Sequence, residues 1–509
     1  MLELIIQLDR QSRIPLYVQI ASQVRTMISS GVLRSGDRLP ANRELARTLD
    51  VNRNTVTTAY ADLEADGLIA SHVGRGTFIT DIVPSKSVAA AQERTQPSPM
   101  MWSTLLGGTQ RDTWLNGLLL SQHRKDTISF AHGLPSAELF PLEDFRRSVD
   151  RVLRREGRAL LQLGLSSGYS PLQEYIASQM ALAGIKTRAE EILITNGCQQ
   201  SLDLIRRVLV EPGDEVVIEN PTYPGAISVF CNYNARYITV PVSENGINLD
   251  VLEDVLSQRR PKLIYTIPTF HNPTGVRMDL AARRRLIEIA AKYRVPIVED
   301  DIYGELHYDV PVYPSLKALD EPGVVISINS FSKVGFPGLR VGWIAAPRIV
   351  TEHLNIVKQN CDLHASLLTQ AALHEFSRHG LLARHIRRVK KAYSHRRDAM
   401  IEALEKHFPE EATWMKPGGG MAIWVKLPRT LNTSEILVHA AEKGVIFSPA
   451  DHFYANSPEK NLMRLCFTIA NPAAIEEGIK RLGAVIKDRL VFLKKRRSRQ
   501  PEEGMRALV

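Results

Sequence analysis

The chain has 509 residues, 44% of them apolar and 23% charged, with a net charge of +9, ordinary values for about three globular domains. No apolar run approaches the ~18 residues of a membrane span, and Met1-Leu2-Glu3-Leu4 carries acid where a signal peptide carries base, so no membrane association and a cytoplasmic location are expected. Cys198, Cys231, Cys361 and Cys466 lie far apart with no Cys-x-x-Cys pair, which argues against a zinc site or a disulfide framework and leaves no metal site to assign.

Pro15 can open a helix in which Leu16, Ile20, Val24, Met27 and Ile28 recur at helical spacing, and Gly31 and Gly36 end it. A short helix over Arg43 to Leu49 follows, then a turn through Asp50-Val51, then a helix that Asn52 can cap. Val56, Ala59, Tyr60 and Leu63 form its apolar stripe, leaving Arg53, Asn54, Thr57 and Thr58 opposite. That face is short, polar and cation-bearing, as a helix that reads the major groove should be. Gly67 stops it, and Val73-Gly74-Arg75-Gly76-Thr77-Phe78 reads as a two-stranded wing with arginine at its tip. Nine arginines face eight Asp and Glu in the first eighty residues, so bulk charge does not mark the segment. Placement does: Asp62, Glu64 and Asp66 gather at the back of the helix, and Arg43, Arg47, Arg53 and Arg75 near its front and the wing.

These residues, with Gly36-Asp37-Arg38-Leu39-Pro40 and Arg43-Glu44-Leu45-Ala46, resemble the GntR-type winged helix-turn-helix. The resemblance implies that Arg43, Asn52, Arg53, Asn54, Thr55, Thr57, Gly74 and Arg75 meet a double-stranded DNA operator. Arg53 is expected on a base edge and Arg43 on phosphate. Ala41 departs from the pattern, standing where a capping serine is usual, and Asn52 and Asn54 are less usual choices, so the operator sequence does not carry over. Residues 81–127 lose periodicity among Pro84, Pro97, Pro99, Gly107 and Gly108 and read as a tether, with Trp102 and Trp114 as candidate anchors.

From 128 to 492, helical stretches such as Leu280 to Tyr293 alternate with short apolar strands at Glu215 to Ile218, Leu263 to Ile267, Pro296 to Val298 and Val324 to Ile328. Such alternation predicts a mainly parallel α/β sheet with helices on both faces. The strand ends deliver Tyr223, Asn272, Asp300 and Ser330 to the edge where open α/β sheets bind ligands. Ser330-Phe331-Ser332-Lys333, followed by Arg340, suits a Schiff base from Lys333 to pyridoxal phosphate, with Ser330, Ser332 and Arg340 toward the phosphate.

Together with His271-Asn272-Pro273-Thr274-Gly275 and Glu299-Asp300-Asp301-Ile302-Tyr303, this stretch resembles the fold-type I, aspartate aminotransferase-like enzymes. The resemblance implies a smaller C-terminal α+β subdomain and further roles. Asp300 pairs with the pyridine nitrogen, Asn272 and Tyr303 with the ring oxygen, and Tyr223 stacks on the ring. The turn Thr195-Asn196-Gly197-Cys198-Gln199 opens a helix whose free amides, those of Cys198 and Gln199 among them, hold the phosphate. Arg464 forks onto an α-carboxylate. Asp301 is expected to cap a helix and His271 to be a packed spacer. Leu163 stands about where the family has a tyrosine that reaches the neighbouring subunit's phosphate, so that clamp is missing or supplied by Tyr169. The run Lys494-Lys495-Arg496-Arg497, within a basic tail over 493–509, reads as a frayed, solvated end.

Head (1–80), tether and body in that order resemble the MocR subgroup of GntR regulators. The likeness implies a pyridoxal-phosphate-dependent transcriptional regulator, a head-to-tail homodimer that senses a small amino compound through aldimine exchange at Lys333. The alternative is an active aminotransferase with an accessory DNA-binding head, since nothing in the catalytic set is broken.

Overall fold

The computed structural model describes residues 6, 8, 15–29, 33, 36–72, 76–80, 126–231 and 234–498. The chain divides into two compact units, one within Met1–Leu105 and one within Leu106–Val509. Most of the tether, including Trp102 and Trp114, and the wing tip with Gly74 and Arg75 lie outside the described residues.

In the first unit the order is α1 (Leu16–Ser29), β1 (Arg38–Leu39), α2 (Asn42–Thr48), α3 (Arg53–Ala65), β2 (Ile69–His72) and β3 (Gly76–Ile79). Ile20 and Val24 of α1 close over Leu45, Val56, Ala59, Leu63 and Ile79, a small core built from the apolar side of each helix. Between α2 and α3 the chain turns at Asp50, which takes φ +50°, and Asn52 then caps α3 by accepting the Asn54 N–H at 2.9 Å. Ala41, before α2, makes no such bond. The strands form an antiparallel sheet in the order β1-β3-β2, the base of a wing.

The second unit begins with β4 (Ile128–Ser129) and is built on an eight-stranded sheet. Its strands are β5 (Ile192–Thr195), β6 (Glu215–Asn220), β7 (Arg236–Ser243), β8 (Gly246–Ile247), β9 (Leu263–Thr266), β10 (Ile297–Asp300), β11 (Val325–Ser330) and β12 (Gly342–Ala345). The order is β5-β12-β11-β10-β9-β6-β7-β8. From β11 to β7 neighbours are parallel, whereas β12 runs against both β11 and β5, and β8 against β7. Alternate residues serve opposite faces. Val217, Ile264 and Ile297 pack with Leu252 and Leu286 of the helices Leu249–Gln258 and Leu280–Tyr293, while Val216, Ile218 and Val298 pack with Leu202 and Ile205 of Cys198–Leu209.

A smaller subdomain holds β13 (Thr413–Trp414), β14 (Ala422–Lys426), β15 (Val445–Ile446), β16 (Ser448–Pro449) and β17 (Leu462–Cys466). Four of these form a sheet in the order β13-β14-β17-β16, and β15 pairs with β4. The chain after β4 then runs beside β17, where the Phe130 carbonyl accepts the Cys466 N–H at 2.7 Å. This brings Ala131 and Gly133 to the edge of the large sheet.

The structure corrects two expectations. Asp301 caps no helix: it opens a turn in which the Gly304 N–H reaches its carbonyl, because the chain must double back for His307 to bridge to Gly419. The basic run does not begin a frayed end at residue 493. The helix Pro472–Ser498 carries it, since Leu490 and Leu493 still pack on the core.

One buried cation fixes the loop that leads to the site. Arg283, fully buried on Leu280–Tyr293, donates to the carbonyls of Met278, Pro268 and Pro314 and to the Thr269 hydroxyl, at 2.8–3.2 Å. Arg283→Met would leave these acceptors unsatisfied in the interior, and we expect a loss of about 3 kcal/mol, read as a lowered urea midpoint.

Candidate cofactor pocket and DNA-reading face

Lys333 follows β11 in a turn closed by the Gly335 N–H on the Phe331 carbonyl. Its Nζ donates to the Gly133 carbonyl at 2.7 Å and stands 6.0 Å from the centre of the Tyr303 ring. Burial, with the Arg464 cation nearby, pushes the amine down to about 8, toward the neutral form that acts as a nucleophile.

Asp300 ends β10, beside β11, and is 1% exposed. Its Oδ2 accepts from the Tyr265 hydroxyl at 2.8 Å, but its Oδ1 is buried with no partner among the described residues. Burial holds this carboxyl up at about 6, against the Tyr265 hydroxyl and the Ile302 N–H that favour its ionised form. A buried oxygen without a donor is costly unless a ligand supplies one.

Arg464 lies in the middle of β17, with β14 paired on one side and β16 on the other. It donates to Asn272 Oδ1 and to the Ala131 carbonyl, both at 2.7 Å, and stacks 4.7 Å from the Phe453 ring centre, while its Nε is buried and has no partner among the described residues. Asn272 and Tyr303 are buried beside it. Phe270, Met421 and Cys466 complete an apolar wall around these groups.

The turn after β5 has the form of an anion cradle. Gly197 takes φ +91°, reserved in practice for glycine, and precedes the helix Cys198–Leu209, whose first amides have no intrahelical acceptor. It rests on Gly342 of β12, where an added Cβ would come within 2.8 Å of Gly197 Cα. Arg340, exposed and at φ +54°, donates to the Asn196 carbonyl at 2.9 Å. The Ser330 hydroxyl accepts the Ser332 N–H at 3.3 Å. Burial raises the Cys198 thiol, so backbone amides are its stronger contribution. Gln199 accepts from the Tyr223 hydroxyl at 3.3 Å, and burial pushes that phenol up to about 12.

His271 is packed as expected: Nδ1 meets the Thr274 hydroxyl at 2.9 Å and Nε2 lies 3.2 Å from Glu219. Tyr169 is committed within its own chain, donating to Glu156 at 2.8 Å, and Leu163 is 77% exposed. The carbonyls of Gly133 and Ala131 and the Tyr265 hydroxyl were not foreseen. The first two are backbone groups without a sequence signature, and Tyr265 reads only as a core strand residue.

On the first unit, Arg43, Asn52, Arg53, Asn54 and Thr57 are exposed and Thr55 is half-buried. The Thr57 hydroxyl donates to the Arg53 carbonyl at 3.0 Å and accepts from Asn42 Nδ2 at 3.1 Å, a link from α2 that the sequence did not suggest. The acids behind this face are occupied. Arg25 of α1 binds Asp62 and Asp66, and Glu64 accepts the Ser71 N–H at 2.7 Å.

A half-buried lysine at a parallel strand end, a carboxylate with a free oxygen and a glycine-capped anion cradle fit pyridoxal phosphate, and the arrangement is that of a fold-type I cofactor body carried in one chain with a helix-turn-helix head. The chain belongs to the MocR-type regulators of the GntR family. The model for "Bacterial regulatory proteins, gntR family" matches residues 16–79, and that for "Aminotransferase class I and II" matches 125–482. The probable rhizopine catabolism regulatory protein MocR of Rhizobium meliloti is 31% identical over 93% of this chain and 94% of its own. Aromatic-amino-acid aminotransferase 1 of Thermococcus litoralis is 40% identical over 73% of this chain and 91% of its own. The crystal structure of LysN, the α-aminoadipate aminotransferase of Thermus thermophilus, complexed with N-(5'-phosphopyridoxyl)-L-leucine, is 37% identical and covers 77% of this chain and 100% of its own, with a TM-score of 0.73. The cofactor of the body is pyridoxal phosphate, and the head binds DNA.

The Lys333 pKa has a consequence for the cofactor-free chain. The folded value, about 8, lies below the ordinary lysine value of 10.5, so between these limits the unfolded chain binds more protons and stability rises with pH. We expect the urea midpoint of the wild type to rise relative to Lys333→Met as pH goes from 7 to 10; a constant difference would mean the amine is not buried as described.

Proposed function

We propose that the protein is a pyridoxal-phosphate-dependent, DNA-binding transcriptional regulator that senses a small amino compound bearing a carboxylate. The observation that carries this reading is the presence in one chain of an open recognition face at Asn52, Arg53, Asn54 and Thr57 and a pocket in which Lys333, Asp300 and Arg464 are all held for a ligand. Likeness along nearly the whole chain to a regulatory protein supports regulation over turnover. A cytoplasmic location and a head-to-tail homodimer go with the reading; the exposed Leu161, Leu163 and Leu165 are suited to a subunit contact.

When bound, the cofactor supplies an electrophilic carbon for which the Lys333 amine and an incoming amine compete. Asp300, whose Oδ1 has no partner among the described residues, would hold a proton on the ring nitrogen. Asn272 and Tyr303 would orient the ring through its oxygen, and Tyr223 would cover its face. The amides of Cys198 and Gln199, with Ser330, Ser332 and Arg340, bind the phosphate. Arg464, whose Nε is free and whose other nitrogens rest on Asn272 and Ala131, receives the effector's carboxylate. A carboxylate there would take over the nitrogen that Asn272 now holds, and β17, which carries Arg464, would shift with it. Movement of this kind favours one arrangement of the heads on two operator half-sites if it changes their relative affinity by a few kcal/mol.

The alternative, a working aminotransferase, is favoured by one observation: Lys333, near 8, is poised to shuttle a proton once released. An absorbance titration with amino acids and amines separates the two. A regulator gives a shifted cofactor band that persists without keto acid and changes DNA affinity; bleaching with recovery on adding a keto acid marks an enzyme. On DNA, Arg53→Ala should weaken operator binding by about 1–3 kcal/mol and relax sequence preference at one position, whereas Arg43→Ala should weaken all sequences alike and lower the salt slope by about 1. Fluorescence anisotropy at several salt concentrations measures both.

A further inference from the structure

The turn that holds Gly197 is braced by a pair of charges outside the set that faces the cofactor. Lys358, on the helix Arg348–Asp362, has a side chain 0% exposed, and its Nζ donates to Asp362 Oδ1 at 2.8 Å. The other oxygen of that carboxylate accepts from Asn196 Nδ2 and from Gln200 Nε2, both at 2.7 Å. Gln200 in turn accepts the Asn196 N–H at 2.6 Å, and the Asn196 carbonyl accepts Arg340. One carboxylate therefore grips the residue before Gly197 and the first helical turn after it.

Two further observations point to positioning rather than packing. Apolar residues of like size commonly stabilise a site at least as well as a buried ion pair, so this pair contributes little to stability that a hydrophobic pair would not. And Leu363, next to Asp362, takes φ +60° while 58% exposed, an unfavourable conformation for leucine at the point where the helix ends.

We propose that Lys358 and Asp362 are positioning residues for the cofactor's phosphate. Lys358 neutralises and orients Asp362, Asp362 fixes the side-chain amides of Asn196 and Gln200, and these hold the Gly197 turn and Arg340 in the form that receives a dianion. This rests on reading the Gly197 turn as the phosphate cradle.

The test compares the affinity of the full chain for pyridoxal phosphate and for pyridoxal, which lacks the phosphate. The ratio of the two dissociation constants cancels any loss of folded protein. We expect Asp362→Asn to lower the preference for the phosphorylated form by about 10- to 100-fold, the range that partners behind a binding group command, with pyridoxal affinity unchanged. Lys358→Met should act in the same direction and serves in its place if Asp362→Asn does not fold. The neutral pair Lys358→Gln/Asp362→Asn, which can keep each hydrogen bond without charge, should recover most of the preference. An unchanged ratio in Asp362→Asn and Lys358→Met overturns the proposal while leaving the cradle intact. A wild type that binds pyridoxal as tightly as pyridoxal phosphate overturns the cradle reading, and the proposal with it.

Discussion

The body depends on a carboxylate left half-satisfied in its interior. Asp300 sits at the end of β10 with Tyr265 on one oxygen and no described residue on the other. In a closed core such a group would be destabilising and would be expected to be replaced by an apolar residue. Its survival requires that the space before it be shaped for a donor, and the surrounding chain does this. Parallel strands place Asp300 opposite Ile328, two residues before Ser330, the antiparallel β12 brings Gly342 under Gly197, and the segment after β4 lays the Gly133 carbonyl against Lys333. The amine and the carboxyl are both shifted toward their neutral forms by the same burial, so the pocket stores a desolvation cost that the bound cofactor relieves.

Much of this was legible because it depends on period and spacing. The helix at Leu280–Tyr293, the strands ending near Tyr223, Asn272, Asp300 and Ser330, and the Asn52 cap each leave a local trace, in apolar alternation or in a capping residue before a helix. What was not legible depends on groups that every residue carries. The Ala131 and Gly133 carbonyls reach the site through the pairing of β4 with β15 and the run beside β17, both some 300 residues away, and no local pattern announces those contacts. Asp301 misled for a related reason. An aspartate before a polar-apolar stretch looks like a helix cap, but the bridge from His307 to Gly419 decides the path of the chain. The end of the last helix misled in the opposite direction: Lys494 and Lys495 are exposed as expected, but Leu490 and Leu493 hold the helix to the core where a frayed end was expected.

Arg464 and Asn272 are already joined before any ligand arrives. One guanidinium is already bonded to Asn272 and to the Ala131 carbonyl, two residues before the carbonyl that holds Lys333. A carboxylate entering there would compete for hydrogen bonds that already exist and would not need to build a site anew. The bulky Phe453 ring beneath the guanidinium fixes its plane, which favours a planar, bidentate partner over a single point charge.

The ion pairs from Arg25 to Asp62 and Asp66 have a bearing on how the head finds its target. With nine arginines against eight acids in its first eighty residues, the head is nearly neutral as a whole, so long-range attraction to a polyanion is weak. Its charges are nevertheless sorted, with cations beside the front of α3 and acids at its back, where α1 holds them. Such an object is an electric dipole more than a cation. Close to DNA the field turns it before it pulls it, so productive encounters come from alignment of the recognition helix with the groove and not from accumulation of protein on the duplex.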